Sequence, residues 1–232
     1  KRYDTLKSTF IGRDRFEEVF MELGYRIKIQ KNYRRTTDAS SIYYRNLIKG
    51  MHVWAPSTIL QSDITYVRVG EHFYYAVFII DVYTKKIVGY QVSNHMRATA
   101  NLKALRMALR DHKAPEIHHS DRGAQYIYRE YIQLLKDNDT QISMALSAQD
   151  NAYAERINRT IKEEYLDHWK PNTYLQLKHD VRRAVNNYNY NRIHNNLNKT
   201  TPVEFENNWN TLLNFKRPII EIFNNETTTL TI

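Results

Sequence analysis

The chain has 232 residues, and 34 Lys plus Arg against 25 Asp plus Glu give a formal charge of +9, which indicates a polyanionic partner. It has no cysteine, which excludes disulfides, thiol nucleophiles and cysteine-bearing zinc sites. The longest apolar run, residues 73–80, is far shorter than the roughly 20 residues of a membrane helix, so we expect a soluble protein.

The first predicted element is a short amphipathic helix over residues 12–23. Four apolar side chains recur there at helical spacing: Phe16, Val19, Phe20 and Leu23. Gly24 follows in the position where glycine commonly ends a helix. A polar stretch without periodicity then runs to about Lys49, and we predict a basic linker there. Its cations include Lys31, Arg34 and Arg35.

Three strands are predicted next, over residues 58–69, 73–82 and 86–93. The first and third alternate in polarity, whereas the second is almost continuously apolar and is expected to be buried on both faces. The following elements are a helix, a strand, a helix and a strand, over residues 98–110, 116–119, 124–136 and 141–145. This βββαβαβ order, followed by a helix, predicts an α/β fold with a mixed five-stranded sheet flanked by helices.

A long helix is predicted after a polar loop at residues 146–150. It covers residues 151–167, and Pro171 breaks it. Further helical segments follow at residues 173–187 and after Thr201-Pro202. The C-terminal part of the chain is therefore expected to be largely helical.

Three carboxylates lie where this order brings separate segments together. Asp63 lies in the first strand, with Gln61 and Thr65 on the same face. Asp121 follows the fourth strand at its carboxyl end, and Glu155 lies in the first turns of the long helix. Converging carboxylates without a local arginine partner would repel one another unless a divalent cation lay among them.

Hard oxygen ligands of this kind favour Mg²⁺ or Mn²⁺. Two such ions would activate a water or a 3′-hydroxyl and stabilise the leaving oxygen of a phosphoryl transfer. In this hypothesis Asp63 bridges the ions, while Asp121 and Glu155 each hold one.

The long helix has two stripes, an apolar one that packs and a polar one that is expected to face outward. An ordinary surface helix would have the same pattern. In the functional interpretation, the exposed amides and cations hold a DNA strand by its phosphates and base edges. The predicted DNA contacts on this helix are Asn151, Asn158, Arg159 and Lys162, and those in the linker are Lys31, Arg34 and Arg35.

Several short motifs together carry a family resemblance. They are WAP at 54–56, DITY at 63–66, IDVY at 80–83, IVG at 87–89, HSDRGAQY at 119–126, and Asn151-Ala152 with Glu155-Arg156. A weaker tail signature comprises Tyr188, Asn189, Arg192, His194, Leu197, Thr201 and Pro202. With these motifs the chain resembles the DDE transposases of the retroviral integrase superfamily, most closely the OrfB-type transposases of bacterial insertion sequences.

The resemblance implies a ribonuclease-H-like fold and metal-dependent nicking and strand transfer, with Asp63, Asp121 and Glu155 as the metal-binding triad. The implied partners are the terminal repeats of the element, target DNA and further copies of the chain in a synaptic complex. A bacterial cytoplasmic protein associated with the nucleoid is expected. The predicted domains are an N-terminal helix and basic linker at 1–50, an integrase-like catalytic core at 51–170 and a helical extension at 171–232. A helix-turn-helix region is expected to precede the chain.

Two other functions remain open. A metal-dependent nuclease of the same fold would cut without strand transfer, and an assay that joins pre-cut ends separates it from a transposase. A domesticated DNA-binding protein could also retain the fold, but the intact triad argues against it.

Two features near the triad are expected to be structural. Asp81 ends a strand and could be mistaken for the first carboxylate, but capping of the following turn is the favoured interpretation. His118 and His119 are adjacent in a strand and should point to opposite faces, which disfavours a metal site formed by both.

Overall fold

The computed structural model describes residues 12–24 and 44–222. The chain divides into two compact units, and the helix α1 (Arg13–Glu22) belongs to the first of them. Gly24 follows α1 with a φ of 79°, as expected of a glycine that ends a helix. The predicted helix is therefore confirmed, whereas Lys31, Arg34 and Arg35 lie outside the described residues.

A five-stranded mixed sheet forms the centre of the second unit. A two-residue strand, β1 (His52–Val53), precedes it. The sheet strands are β2 (Ile59–Val69), β3 (His72–Asp81), β4 (Ile87–Ser93), β5 (Ile117–Ser120) and β6 (Gln141–Met144). Their spatial order is β4-β3-β2-β5-β6, with antiparallel pairing among β2, β3 and β4 and parallel pairing of β5 with β2 and β6. The predicted mixed five-stranded sheet is confirmed.

Helices cover both faces of this sheet. They are α2 (Ala98–Asp111), α3 (Arg129–Lys136), α4 (Ala152–Ile161) and α5 (Tyr174–Tyr190). Alternate residues of β3 enter two separate hydrophobic cores: Phe78 packs in the core that includes residues of α4 and α5, and Val77 in the core that includes residues of α2 and α3. The prediction that the middle strand is buried on both faces is therefore confirmed for its C-terminal half.

The long helix is less regular than its sequence indicates. A four-residue 3₁₀ turn (Ala148–Asn151) leads into α4, and a π-helical turn (Lys162–Leu166) and a final helical turn (Asp167–Trp169) follow it. Lys170 then adopts a φ of 49°, directly before Pro171. The helix ends where predicted, because a residue before proline is disfavoured in the helical conformation.

Gly89 is required for the packing of α2 on β4. A Cβ atom at this position would lie 2.4 Å from the carbonyl oxygen of Ala104. The helix can therefore approach the strand this closely only where the strand has no side chain.

A third core contains residues near both ends of the described part of this unit, including Val53 and Ile222. The helix α6 (Pro202–Thr211) begins with a capping box, in which Thr201 and Glu204 bond each other's backbone N–H groups. After it, β7 (Ile220–Glu221) pairs antiparallel with β1.

Among the described residues, no helix is both long enough and apolar enough to span a bilayer.

Candidate active site

The parallel pairing of β2 with β5 places two of the predicted acids side by side. Ser62 pairs with Ser120, and the next residues along the two strands are Asp63 and Asp121. Asp121 lies just beyond the end of β5, and its Oδ1 accepts the N–H of Gly123 at 2.9 Å. The fold thus brings together two acids that are far apart in the sequence.

Glu155, in the first turn of α4, is the third acid. Burial raises its pKa, Arg159 opposes that effect and Asp121 adds to it. Glu155 in turn raises the pKa of Asp63. The three carboxyl groups are therefore close enough to shift one another's pKa values.

Asp63 has the strongest shift of the three. Burial and, after it, the charge of Asp121 raise its pKa to about 8, with a smaller contribution from Glu155. The N–H of Ile64 and the side chain of Asn158 act in the opposite direction. Asp121 also has a raised pKa, because its burial outweighs the hydrogen bond from Gly123. Without a cation, the site therefore favours a proton on Asp63 at neutral pH.

Gln61 attaches the beginning of α4 to β2. Its Oε1 accepts the N–H of Ala154 at 3.3 Å, and its Nε2 donates to the carbonyl oxygen of Asp150 at 3.4 Å. The first N–H groups of a helix have no partner within the helix, so a buried glutamine on the neighbouring strand can satisfy one of them. Sequence analysis placed Gln61 beside Asp63 but did not identify this role.

Two asparagines of the long helix also bond β2, which corrects their predicted exposure. Asn151 and Asn158 are only 2% and 6% exposed. The Nδ2 of Asn151 donates to the carbonyl oxygen of Ser62 at 3.1 Å, and the Nδ2 of Asn158 donates to Oδ2 of Asp63 at 2.8 Å. The prediction that both amides face outward toward DNA was wrong, because β2 offers buried acceptors directly opposite them.

The cations of the same helix remain at the surface. Arg159 is exposed and Lys162 is partly exposed. Both are therefore placed where a ligand on the Glu155 side of α4 could reach them.

Asp150 shapes the loop before α4. Its Oδ2 accepts the N–H groups of Leu146 and Ser147 at 2.9 and 3.0 Å. Burial acts to raise the pKa of Asp150, but these N–H groups bring it below its usual value. The loop that delivers Glu155 is thus held by an ionised side chain.

Gly123 lies beside Asp121, and Tyr126 lies beside the residue before Asp63. A Cβ atom on Gly123 would lie 3.0 Å from Oδ1 of Asp121, so a side chain there would push against the carboxylate. Tyr126 is buried, and its hydroxyl shares a 3.0 Å hydrogen bond with Oγ of Ser62, the residue before Asp63. Both residues belong to the 119–126 motif, but their roles were not predicted.

Asp81 is a capping residue, as favoured from the sequence. Its Oδ1 accepts the N–H groups of Tyr83 and Thr84, and its Oδ2 accepts that of Ser57 at 2.7 Å. Burial nevertheless raises the pKa of Asp81 to about 6. Its carboxyl group is used within the turn.

The two histidines of β5 have separate structural partners. Nε2 of His118 bonds the hydroxyl of Tyr131 at 2.9 Å, and Nδ1 of His119 bonds Oγ of Ser143 at 2.8 Å. Burial lowers their pKa values to about 3 and about 4, so both are neutral at physiological pH. The two rings thus bond different elements, α3 and β6, as expected of adjacent strand residues that point to opposite faces.

The three acids suit a divalent cation chemically, although their side chains are not gathered around one point. Within residues 12–24 and 44–222, no group of three or more His, Asp or Glu is arranged closely enough to hold an ion. The acids are nevertheless partly buried, mutually repelling oxygen donors, and a cation would stabilise their ionised forms. The residues therefore fit Mg²⁺ or Mn²⁺, with side-chain adjustment on binding.

Comparison with protein families identifies the same region. Two families described as integrase core domain match the chain, one over residues 54–148 and the other over residues 138–202.

Individual relatives are insertion-element proteins. A 31 kDa protein of insertion element IS600 from Shigella sonnei is 33% identical over 203 residues, which cover 84% of this chain and 75% of the relative. The transposase of element IS629 from Shigella sonnei is 36% identical over 156 residues, which cover 65% of this chain and 52% of the relative. The chain thus spans about half the length of the IS629 transposase.

Solved structures with a similar fold are retroviral integrases. The catalytic core domain of HTLV-2 integrase in complex with magnesium, in its trimeric form, aligns with a TM-score of 0.56 and 18% identity. The alignment covers 70% of this chain and 99% of that one. A chain of the simian T-cell lymphotropic virus intasome in complex with PP2A regulatory subunit B56 gamma aligns with a TM-score of 0.61 and 15% identity, over 72% of this chain and 60% of that one. These likenesses establish the ribonuclease-H-like fold.

Proposed function

The chain belongs to the integrase core domain family of insertion-element transposases, enzymes of the polynucleotidyl transferase type, and we propose that Asp63, Asp121 and Glu155 are its catalytic carboxylates. In this proposal it nicks the ends of a mobile element and joins them to target DNA. The terminal repeats of the element and the target DNA are its substrates.

The register of β2 against β5 is the observation that carries this proposal. It sets Asp63 and Asp121 level with each other. Hydrogen bonds of Gln61, Ser62 and Asp63 in β2 with Ala154, Asn151 and Asn158, respectively, hold α4 beside them. Asp63 lies on a strand and Glu155 on a helix, and side chains on such elements are positioned more precisely than side chains on loops. The fixed backbone positions of these two acids suit a reaction that depends on alignment of the attacking and leaving oxygens.

Asp63, Asp121 and Glu155 would hold two Mg²⁺ or Mn²⁺ ions. When bound, these ions supply activation of the attacking water or 3′-hydroxyl and stabilise the leaving oxygen. Asp63 must lose its proton for this role, and Asn158 supports the ionised form by donating to Oδ2. Gly123 keeps the space beside Asp121 open for the carboxylate.

Arg159 and Lys162 would contact DNA phosphates on the Glu155 side of α4. The linker cations Lys31, Arg34 and Arg35 are proposed to add sequence-independent contacts. The solved relatives include trimeric and dimeric forms and an intasome, so we propose that this chain also acts as a dimer or larger assembly on paired DNA ends.

An assay that joins pre-cut element ends to a target tests the function directly. The wild-type protein should join them with Mg²⁺, whereas Glu155→Gln should abolish joining and retain DNA binding. Glu163→Gln, an exposed acid of the following helical turn, is the matched control and should join normally. Cleavage without joining by the wild type would instead favour the nuclease, and DNA binding without either reaction would favour a domesticated binding protein.

The identity of the ion provides a second test. Mn²⁺ should replace Mg²⁺ in the joining assay, whereas Ca²⁺ should support DNA binding with little joining because it is larger and its coordination is looser. Joining that survives exhaustive chelation would contradict a carboxylate metal site.

A further inference from the structure

Residues of the tail signature contact the helical segment that carries Glu155. Arg192 donates from Nε and Nη2 to the two carboxylate oxygens of Glu164 at 2.6 and 2.5 Å, and Glu164 lies in the π-helical turn after α4. The ring of His194 packs edge-on against Tyr188 at 4.8 Å between centroids. The signature thus places a cation and an imidazole beside the flank of α4.

Lys85 approaches the same helix from the turn between β3 and β4. Its Nζ donates to the carbonyl oxygen of Val82 at 2.6 Å and lies 3.9 Å from the ring centroid of Tyr153, in the first turn of α4. Burial lowers the pKa of Lys85 to about 7, Asp81 opposes this and Arg156 lowers it further. No carboxylate among the described residues lies within ion-pair distance of this ammonium group.

Arg156 adds another cation without an acidic partner. It is exposed on α4 and forms no ion pair in the part of the chain that the structure describes. Burial lowers the pKa of His194 to about 4. The positive charges of Arg192, Arg156 and Lys85 lower this pKa further, whereas the negative charge of Glu164 raises it. Since only Arg192 is paired with an acid, positive charge is left in excess at this flank.

The cations of the helix connect this flank to the side of the carboxylates. Arg156, Arg159 and Lys162 are spaced three residues apart, so each is displaced by about 60° from the previous one around the axis. They form a slanted row that begins at Arg156, near Lys85, and continues to Arg159 and Lys162 on the Glu155 side of the helix. A strand bound at the carboxylates could therefore continue along the row toward Lys85.

We propose that Lys85, Arg156 and His194 form a second anion site, on the flank of α4, which binds a phosphate of the DNA backbone away from the reacting phosphodiester. The ammonium and guanidinium groups supply charge, and the neutral imidazole supplies an N–H donor. Clustered cations without carboxylate partners repel one another, and a phosphate would relieve this repulsion. The proposal rests on the proposed function, since it takes DNA as the ligand.

Binding of duplex DNA across a range of salt concentrations, in EDTA, tests this site without any contribution from chemistry. Each phosphate that the protein neutralises contributes about 0.9 to the slope of log affinity against log salt. Arg156→Gln and Lys85→Met should each weaken binding and lower this slope by up to about one. In the double variant the slope should fall by about one rather than two, because both cations contact the same phosphate.

Two matched variants serve as controls. Arg106→Gln removes an exposed arginine from α2, and Lys86→Met removes the neighbouring lysine, which pairs with Glu206 instead. Both should bind with the wild-type slope. Lys85→Met requires a melting curve as well, whereas Arg156 is exposed and its variant is expected to fold.

An unchanged slope for Arg156→Gln and for a folded Lys85→Met would overturn the proposal. Duplexes with a single neutral methylphosphonate provide the positional test: one substitution should weaken binding by the wild type but not by Arg156→Gln. If no single position behaves in this way, the site is also excluded. Failure of the proposed function would look different, as normal DNA binding by a wild type that joins no ends with Mg²⁺.

Discussion

Asn158 donates a 2.8 Å hydrogen bond to Oδ2 of Asp63, so that α4 is joined to β2 at the first of the three carboxylates. The same helix carries Glu155, one turn earlier. A single buried amide therefore links the position of one proposed catalytic acid to that of another.

The first prediction concerns this amide. Asn158→Ala should lower the rate of joining at saturating DNA by roughly 10- to 100-fold, the usual effect of removing a group that orients a metal ligand. DNA affinity should change little, because Asn158 is buried. Asn186→Ala, an exposed asparagine of α5, is the control. Wild-type joining by Asn158→Ala at every Mg²⁺ concentration would show that the hydrogen bond does not position Asp63.

The second prediction concerns stability against pH without metal. The pKa of Asp63 rises from 3.8 to about 8 in the folded state, so its contribution to stability is full below about pH 4 and is lost as the pH rises through 8. Asp63→Asn keeps a neutral group at every pH. The variant should therefore melt several degrees above the wild type at pH 8, and the gap should close near pH 4. Melting curves that run parallel over this range would contradict the shift.

The third prediction concerns the turn after β5. Gly123→Ala should displace Asp121, because the new Cβ would lie 3.0 Å from Oδ1, and joining should fall by about tenfold or more. The φ of Gly123 is not positive, so the backbone itself accepts alanine and the protein should fold. Ala124→Ser, at the exposed neighbouring position, should join normally. Full activity in Gly123→Ala would mean that Asp121 tolerates displacement.

The fourth prediction concerns DNA contacts made on the Glu155 side of α4. Lys162→Gln should weaken binding to terminal-repeat and random duplexes about equally and reduce the salt slope by about one, as expected of one phosphate contact. Lys136→Gln, an exposed lysine at the end of α3, should bind like the wild type. A loss confined to terminal-repeat DNA would instead assign Lys162 to sequence recognition.

Periodicity and turn residues were sufficient to predict β2, β3 and β4, because these strands differ in polarity pattern and are separated by short turns. The helix before β6 was predicted from residue 124, yet α3 begins only at Arg129. Residues 124–128 form turns instead, in which the N–H of Tyr126 bonds the carbonyl oxygen of Gly123 and Tyr126 is buried beneath the site. Apolar residues at helical spacing can be buried either by a helix or by a turn, and the spacing alone does not distinguish the two.

The asparagines of the long helix show a second limit of prediction from sequence. A helical projection places Asn151 and Asn158 with the polar residues, and polarity alone indicates exposure. Their burial depends on acceptors supplied by Ser62 and Asp63, on a strand about 90 residues earlier in the chain. Such a pairing follows from the packing of α4 on β2, which no local pattern contains.

The pairing of β1 with β7 brings residues near both ends of the described part of the second unit next to each other. The N–H of Gly50 bonds the carbonyl oxygen of Ile222, and the N–H of Ile222 bonds that of Met51, so residues 50 and 222 are immediate neighbours. A short peptide could therefore join these two points, and new termini could be opened at the exposed hairpin turn of Gly70 and Glu71 between β2 and β3. Such a circular permutant would keep every strand pairing while moving the chain ends to the opposite end of β2, where another DNA-binding module could be fused.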